Sequence, residues 1–384
     1  MISFKSNPLT ASLRLPVFLF ICLIPGLQAC KKKEAILPVD PAYARYVQAY
    51  TSGVVSKAST IRIVLAENVQ TTHKTGEILR DNLVSISPAV EGKATWTDAR
   101  TIEFKPAKTL TPATLYTVTF KLGKIIQVPE KFREMRFTFQ TITPAFTVRE
   151  NGLRSDGTKE HMYLEGTVQT ADVENSPEVE KLLSAQYEKG KYKITWQHTG
   201  STKKHDFKIE SINRTALECP LRLIWNGKAL GIKNTGEKII QVPALGVFKV
   251  LQMVAINNEQ QYASIQFSDP IAVGQELIGL VSFSKQENPA YSINGSEVKL
   301  FGSEPLDGNY SIGVYPGIKN SWGQILEGNY AANIVFDNLM PGVNILGKGN
   351  ILPHSGKLLL PFEAVNLSAV DVSIVKIYEN NIPQ

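Results

Sequence analysis

The sequence predicts an all-β protein made of tandem β-sandwich domains with one short helix. Apolar residues recur at every second position in many short runs, as in Tyr116, Val118 and Phe120 between threonines and a lysine. That alternation is typical of strands with one buried face. Turn-forming Gly, Pro, Asn or Asp residues often lie between the runs. A hydrophobic content of 43% over 384 residues indicates a folded chain of about two to four domains.

A single segment carries clear helix signals. Ser176 can cap a helix, Pro177 suits its first turn, and Glu178 and Glu180 favour its positive end. The residues expected to form its apolar stripe are Val179, Leu182, Leu183 and Gln186. We expect a crossover helix that packs on a sheet edge.

Strand alternation, together with the N-terminal apolar run, divides the chain into six segments. We expect a lipoprotein signal peptide over 1–29, a tether over 30–50, β-sandwiches over 51–143, 144–254 (with the helix) and 255–340, and the start of a further, truncated domain over 341–384. The third sandwich echoes the first, because Val84–Ser87 (VSIS) matches Val281–Ser284 (VSFS) and Tyr116–Val118 (YTV) matches Tyr310–Ile312 (YSI). This similarity predicts an internal repeat of sandwich modules.

The N-terminus indicates export and lipid attachment. Lys5 and Arg14 precede the apolar run Leu15–Leu27, which has the length of a secretory signal core and is shorter than the ~20 residues of a transmembrane helix. Cys30 follows the small Ala29, with a leucine three positions before it. This resembles the bacterial lipoprotein box. We expect Cys30 to be the lipid-attachment residue of an envelope protein, on the periplasmic face or the outer-membrane surface. The alternative is ordinary signal cleavage with Cys30 incidental.

Composition and motifs argue against several function classes. The net charge of +6 is spread over a long chain, whereas nucleic-acid binding needs clustered basic residues. No zinc-ligand spacing, nucleophile elbow or phosphate-binding glycine loop is present in the sequence. We therefore expect no metal site, no cofactor, no catalytic residue and no enzymatic activity.

A few residues merit individual interpretation. His198 and His205 are expected at the surface, and Asp269 before Pro270 is expected to serve turn formation. Trp196 and Trp225 are expected to be core residues; Trp322, on a predicted loop, is the aromatic side chain that we would test for ligand contact. Cys219 is expected to have no disulfide partner, since Cys22 leaves with the signal peptide and Cys30 would be acylated.

Three segments resemble the N-terminal part of bacterial alpha-2-macroglobulin-like lipoproteins, especially the large ones of Bacteroidetes-type bacteria. They are Arg100–Lys124, Tyr163–Glu174 and Leu358–Val372, and the resemblance extends over nearly all of 45–384. It implies Ig-like and macroglobulin-like sandwiches at the base of an envelope-anchored protease trap. The membrane would bind the lipidated N-terminus, and proteases would be the targets of the full-length protein.

The trapping elements of that family are not found in this sequence. It has neither a Cys-x-Glu-Gln thioester motif nor a recognisable bait segment, and both would lie beyond Gln384. Two alternatives stay open: a surface adhesin or glycan-binding lipoprotein built from Ig-like domains, and a cell-wall or glycan enzyme. The sequence beyond Gln384 would separate the first from a trap, and a cleft with convergent carboxylates would indicate the second.

Overall fold

A computed structural model describes residues 38–69, 73–79, 83–187, 190–200, 203–258, 260–337, 342–345, 362–365, 367 and 369–370. Its architecture is nearly all-β, which confirms the predicted fold class. Three separate clusters of buried apolar side chains divide the described residues into three modules. Within the described ranges, no helix has the length and apolar character that crossing a membrane would require.

Module 1 is a sandwich of two four-stranded sheets. Its strands are β1 (Val47–Tyr50), β2 (Gly53–Val55), β3 (Ile61–Leu65), β4 (Val84–Ser87), β5 (Gly92–Trp96), β6 (Thr101–Pro106), β7 (Leu115–Phe120) and β8 (Met135–Thr141). The sheet orders are β1-β3-β6-β5 and β2-β8-β7-β4. Tyr116, Val118 and Phe120 all face the core, as the alternation predicts, and Phe120 is 0% exposed. Short 3-10 helices cover Pro41–Arg45, Leu122–Lys124 and Glu130–Phe132.

Module 2 also has two four-stranded sheets. Its strands are β9 (Phe146–Ser155), β10 (His161–Thr170), β11 (Leu183–Tyr187), β12 (Gly190–Tyr192), β13 (Ile194–His198), β14 (Lys204–Asn213), β15 (Cys219–Asn226) and β16 (Thr235–Val242). Their orders are β13-β14-β10-β9 and β12-β11-β15-β16. Helix α1 covers Ser176–Glu180, and a 3-10 helix covers Gly227–Leu230.

Module 3 repeats the strand order of module 1 except for β2, which has no counterpart among the described strands. Its strands are β17 (Val250–Asn257), β18 (Gln261–Phe267), β19 (Val281–Phe283), β20 (Ala290–Asn294), β21 (Glu297–Phe301), β22 (Gly308–Val314) and β23 (Tyr330–Phe336). The order β17-β18-β21-β20 matches β1-β3-β6-β5, and β19-β22-β23 matches β4-β7-β8. The matched sequence pairs fall on β4 and β19 and on β7 and β22, so the strand order agrees with the predicted repeat. Beyond module 3, β24 (Gly342–Ile345) pairs with β25 (Phe362–Val365).

The structure differs from the sequence predictions at three places. Helix α1 ends at Glu180, because the next apolar residues alternate along β11 and pair with β15. Val47–Tyr50 forms a strand in the predicted tether, since Val47 fills the module 1 core. Phe248, ahead of the predicted boundary at residue 255, belongs to the module 3 core.

Candidate functional site

The junction between modules 1 and 2, here called junction 1–2, is built on two carboxylates. Asp172, which is 3% exposed, accepts hydrogen bonds from Ser56 Oγ (2.5 Å) and from the Lys57 backbone N–H (2.7 Å). Glu174 accepts one from Lys57 Nζ at 2.6 Å, and these two side chains are only 8% and 15% exposed. Buried charge-assisted hydrogen bonds thus connect module 1 to module 2.

The pKa of Asp172 reflects this environment. Burial by itself would raise that pKa, but hydrogen bonds from Ser56, Lys57 and Val173 outweigh it, and the net shift is downward. A carboxylate that accepts several N–H and O–H groups is stabilised in its charged form. Asp172 therefore holds junction 1–2 as an anion at neutral pH.

The end of β10 places this carboxylate. Thr170 Oγ1 donates to the Asp172 carbonyl oxygen at 2.7 Å and contacts the Lys203 carbonyl oxygen at 3.2 Å. The Ala171 N–H donates to the Ala145 carbonyl oxygen, just before β9. The loop that carries Asp172 is thereby fixed to the rest of module 2.

Junction 2–3 is built around Arg214 and Asp269, both with side chains 1% exposed. Arg214 Nη1 donates to the Asp269 carboxylate, and Nη2 donates to the carbonyl oxygens of Ala244 (2.9 Å) and Val247 (2.8 Å). Ser268 Oγ donates to Asp269 Oδ2 at 2.6 Å. Arg214 therefore clamps the end of module 2, the linker and the start of module 3 together.

Both junctions join neighbouring modules through buried ion pairs and hydrogen bonds. A buried charge that loses its partner is strongly destabilising, so any rotation that separates Arg214 from Asp269 is costly. Sequence reasoning missed both junctions. Asp269 was expected to serve turn formation only, and its partner Arg214 lies 55 residues away in the chain.

The two histidines form a pair that the sequence analysis placed wrongly. Antiparallel pairing of β13 with β14 puts His198 opposite His205, and their Nδ1 atoms lie 2.9 Å apart. His198 Nε2 lies 3.1 Å from Glu180 Oε1 of α1. His205 is 2% exposed, so it is not a surface residue, and its Nε2 has no partner. Burial first, and then the neighbouring His198, lower the pKa of His205.

A polar cleft of about 560 Å³ lies on module 2. Gly166 lines this cleft, and a Cβ at this position would meet the Phe207 ring at 2.5 Å. Thr167 Oγ1 donates to Asp206 at 2.6 Å, and Asp206 also pairs with Lys204 at 3.3 Å. The acidic group Asp206 is thus already paired within the protein.

Three tryptophans singled out in the sequence are all half-buried. Trp196 and Trp225 are half-buried and pack against the module 2 core, while Trp196 also lines the cleft. Trp322 is half-buried beside Lys159 of module 2, whose Nζ lies 5.6 Å from its ring centroid. A cation of the neighbouring module thus lies over the Trp322 ring.

Cys30 lies outside the described residues. Cys219 is a half-buried free thiol. Among the described residues, no group of three or more His, Cys, Asp or Glu side chains is arranged to hold a metal ion.

Comparison with known proteins gives one family match. Residues 46–141 match the family model described as a bacterial Ig-like domain. A search of curated proteins gives no match.

Solved structures give distant likenesses. They include the L,D-transpeptidase 3 of Mycobacterium tuberculosis with a faropenem-derived adduct (13% identity, 52% of this chain and 75% of that chain, TM-score 0.19). A second is the Bacteroides ovatus mixed-linkage glucan utilization locus protein SGBP-B with a mixed-linkage heptasaccharide (12%, 83% and 74%, TM-score 0.25). A third is the ICAM-5 D1–D4 ectodomain fragment (9%, 77% and 77%, TM-score 0.22). None of these likenesses bears on the function of this chain. What the family match supports is that module 1 is similar to bacterial Ig-like domains, within a chain of tandem β-sandwiches.

Proposed function

We propose that this chain is the non-enzymatic N-terminal scaffold of a lipid-anchored, alpha-2-macroglobulin-like protease inhibitor, an endopeptidase trap of the bacterial envelope. The observation that carries the proposal is the pair of buried ionic junctions, 1–2 and 2–3. A trap that changes shape after bait cleavage needs a base that keeps its orientation. Buried charge pairs meet this need because separating them is costly.

The sequence resemblance supports the same proposal. The segment Tyr163–Glu174 covers most of β10 and ends in the two carboxylates of junction 1–2, Asp172 and Glu174. The residues that resemble the family are thus also residues that connect two modules. In this proposal Cys30 carries the lipid, the membrane is one partner and proteases are the targets of the full-length protein.

The lack of enzymatic activity is part of the proposal. The buried charged side chains of the junctions are paired with each other or with backbone groups. Catalytic groups, in contrast, converge on a cleft with space for a substrate.

An inhibition assay tests the proposal. We expect residues 30–384 alone, at equimolar ratio, to leave the digestion of a large substrate such as casein by a general protease unchanged. The chain extended by the sequence encoded beyond codon 384 should protect casein and should be cleaved once within a bait segment. Stoichiometric protection by residues 30–384 alone would contradict trapping through a bait, as would a continuation without a cleavable bait.

A glycan-binding lipoprotein is the second candidate, and the module 2 cleft is the observation that favours it. The cleft combines the aromatic side chain of Trp196 with the hydrogen-bonding groups of Thr167, Gln197 and Asp206, a combination typical of small-molecule sites. Titration with soluble oligosaccharides would test it. Binding that is lost in Trp196→Ala but kept in Trp322→Ala would favour this candidate over the trap.

A further inference from the structure

We infer that the His198–His205 pair is a pH-sensitive latch on junction 1–2. The pair supports the attachment of module 1 while at most one of its rings is charged, and it weakens this attachment when both rings are charged. This inference goes beyond the proposed function and is independent of it.

The geometry allows two protonation states with the contact intact. At 2.9 Å the two Nδ1 atoms form a hydrogen bond, so one must donate and the other must accept. In the neutral pair, His198 can donate from Nε2 to Glu180 while its Nδ1 accepts from His205. With one added proton, His198 donates from both nitrogens, to Glu180 and to the His205 Nδ1, and the single proton of the neutral His205 ring lies on its Nε2 instead of its Nδ1.

A second proton breaks this contact. Both Nδ1 atoms would then carry hydrogen and face each other across a hydrogen-bond distance, and two positive rings would repel. Among the described residues, the charged groups that act on the pair are Glu180 from α1 and Asp206 from β14 itself; β10 places the uncharged Val168 opposite His205. Burial and His198 outweigh Asp206, and the pKa of His205 stays below its ordinary value.

The pair is connected to junction 1–2 on two sides. Immediately before β14, the Lys203 carbonyl, two residues before His205, accepts hydrogen bonds from the N–H and the hydroxyl of Thr170. Thr170 in turn fixes the backbone of Asp172. Through α1, Glu180 belongs to the segment that begins with Asp172 and Glu174, so its contact with His198 holds the other end of that segment.

These contacts predict which junction responds to acid. Loss of the Nδ1–Nδ1 contact removes the side-chain link that joins β13, β14 and α1, so the segment that binds Ser56 and Lys57 loses support. Junction 2–3, formed by Arg214 and Asp269, contains no histidine. Acidification should therefore move module 1 relative to module 2 and leave modules 2 and 3 in place.

Energy transfer between two dyes on the full chain tests this. The dyes are introduced through unnatural amino acids, which avoids the native cysteines, at the exposed positions Lys93 and Lys191 for junction 1–2, and at Lys191 and Lys285 for junction 2–3. Between pH 7.5 and 5.0 we expect the transfer efficiency across junction 1–2 to change with a midpoint below pH 6.5. The efficiency across junction 2–3 should stay constant.

Two variants complete the test. His205→Gln, which cannot take the second proton, should abolish the change, while the matched control His161→Gln, a histidine of the same module outside the pair, should keep it. A flat wild-type response, an unchanged response in His205→Gln, or equal changes across both junctions would overturn the inference. Should His205→Gln fail to fold, NMR titration of the wild-type histidines decides: two coupled steps support the latch, and two independent ordinary titrations overturn it.

Discussion

Removing the Asp269 carboxylate from junction 2–3 should destabilise modules 2 and 3 strongly. The guanidinium of Arg214 is 1% exposed and would keep only neutral backbone carbonyls as partners. Breaking a buried ion pair by deleting one member costs about 3–5 kcal/mol. We expect Asp269→Ala to lower the free energy of unfolding of these modules by about that amount.

Replacing both partners should cost less than removing one. Arg214→Met combined with Asp269→Leu leaves no uncompensated charge, and apolar replacements of buried pairs are often neutral or stabilising. The double variant should therefore be more stable than Asp269→Ala alone. Asp307→Ala, at an exposed aspartate of module 3, is the matched control and should stay within about 0.5 kcal/mol of wild type.

Hydrogen exchange measured by mass spectrometry on the full chain reports the stability of each module separately, because peptides from β10, β15, β17 and β18 report local and global opening. Urea titration of the same variants gives the overall change. A cost below about 0.5 kcal/mol for Asp269→Ala, or a double variant less stable than Asp269→Ala, would refute the view that junction 2–3 depends on a compensated buried charge.

Four further predictions concern other parts of the chain. Phe120→Ala should cost module 1 about 3–5 kcal/mol in urea unfolding, because the ring is 0% exposed; a change within about 0.5 kcal/mol would contradict its core position. Gly166→Ala should lower the thermal midpoint of module 2, since a Cβ would lie 2.3 Å from the Arg149 carbonyl oxygen; an unchanged midpoint would show that the strand can shift. His205 has a lowered pKa, so the unfolded chain binds more protons below about pH 6.5 and stability should fall as the pH drops through that range; urea midpoints at pH 7.5 and 5.0 measure this, and His205→Gln should reduce the difference. Cys30→Ser should move the protein from the membrane fraction to the soluble fraction, because acyl chains contribute about 0.8 kcal/mol per buried CH₂; a variant that stays in the membrane pellet would exclude Cys30 as the anchor.

Strand positions were predictable because each strand of a sandwich has one buried face. Alternation alone placed Tyr116, Val118 and Phe120 toward the core, and it also found the repeat that the strand orders of modules 1 and 3 now share. The helix was predicted too long because Leu183 fits both a helical stripe with Val179 and Leu182 and the strand alternation with Ala185 and Tyr187. Pairing with β15 decided between them.

The sequence by itself determined the all-β class, the main strand faces and the repeat, since these depend on local periodicity and turn-forming residues. Only the tertiary structure decided which polar residues meet. Strand pairing and module packing bring Arg214 into contact with Asp269, Lys57 with Glu174 and His198 with His205. Such contacts join residues up to 117 positions apart, and a charged side chain carries no local mark of its partner. The burial that makes these pairs matter exists only once the modules have packed.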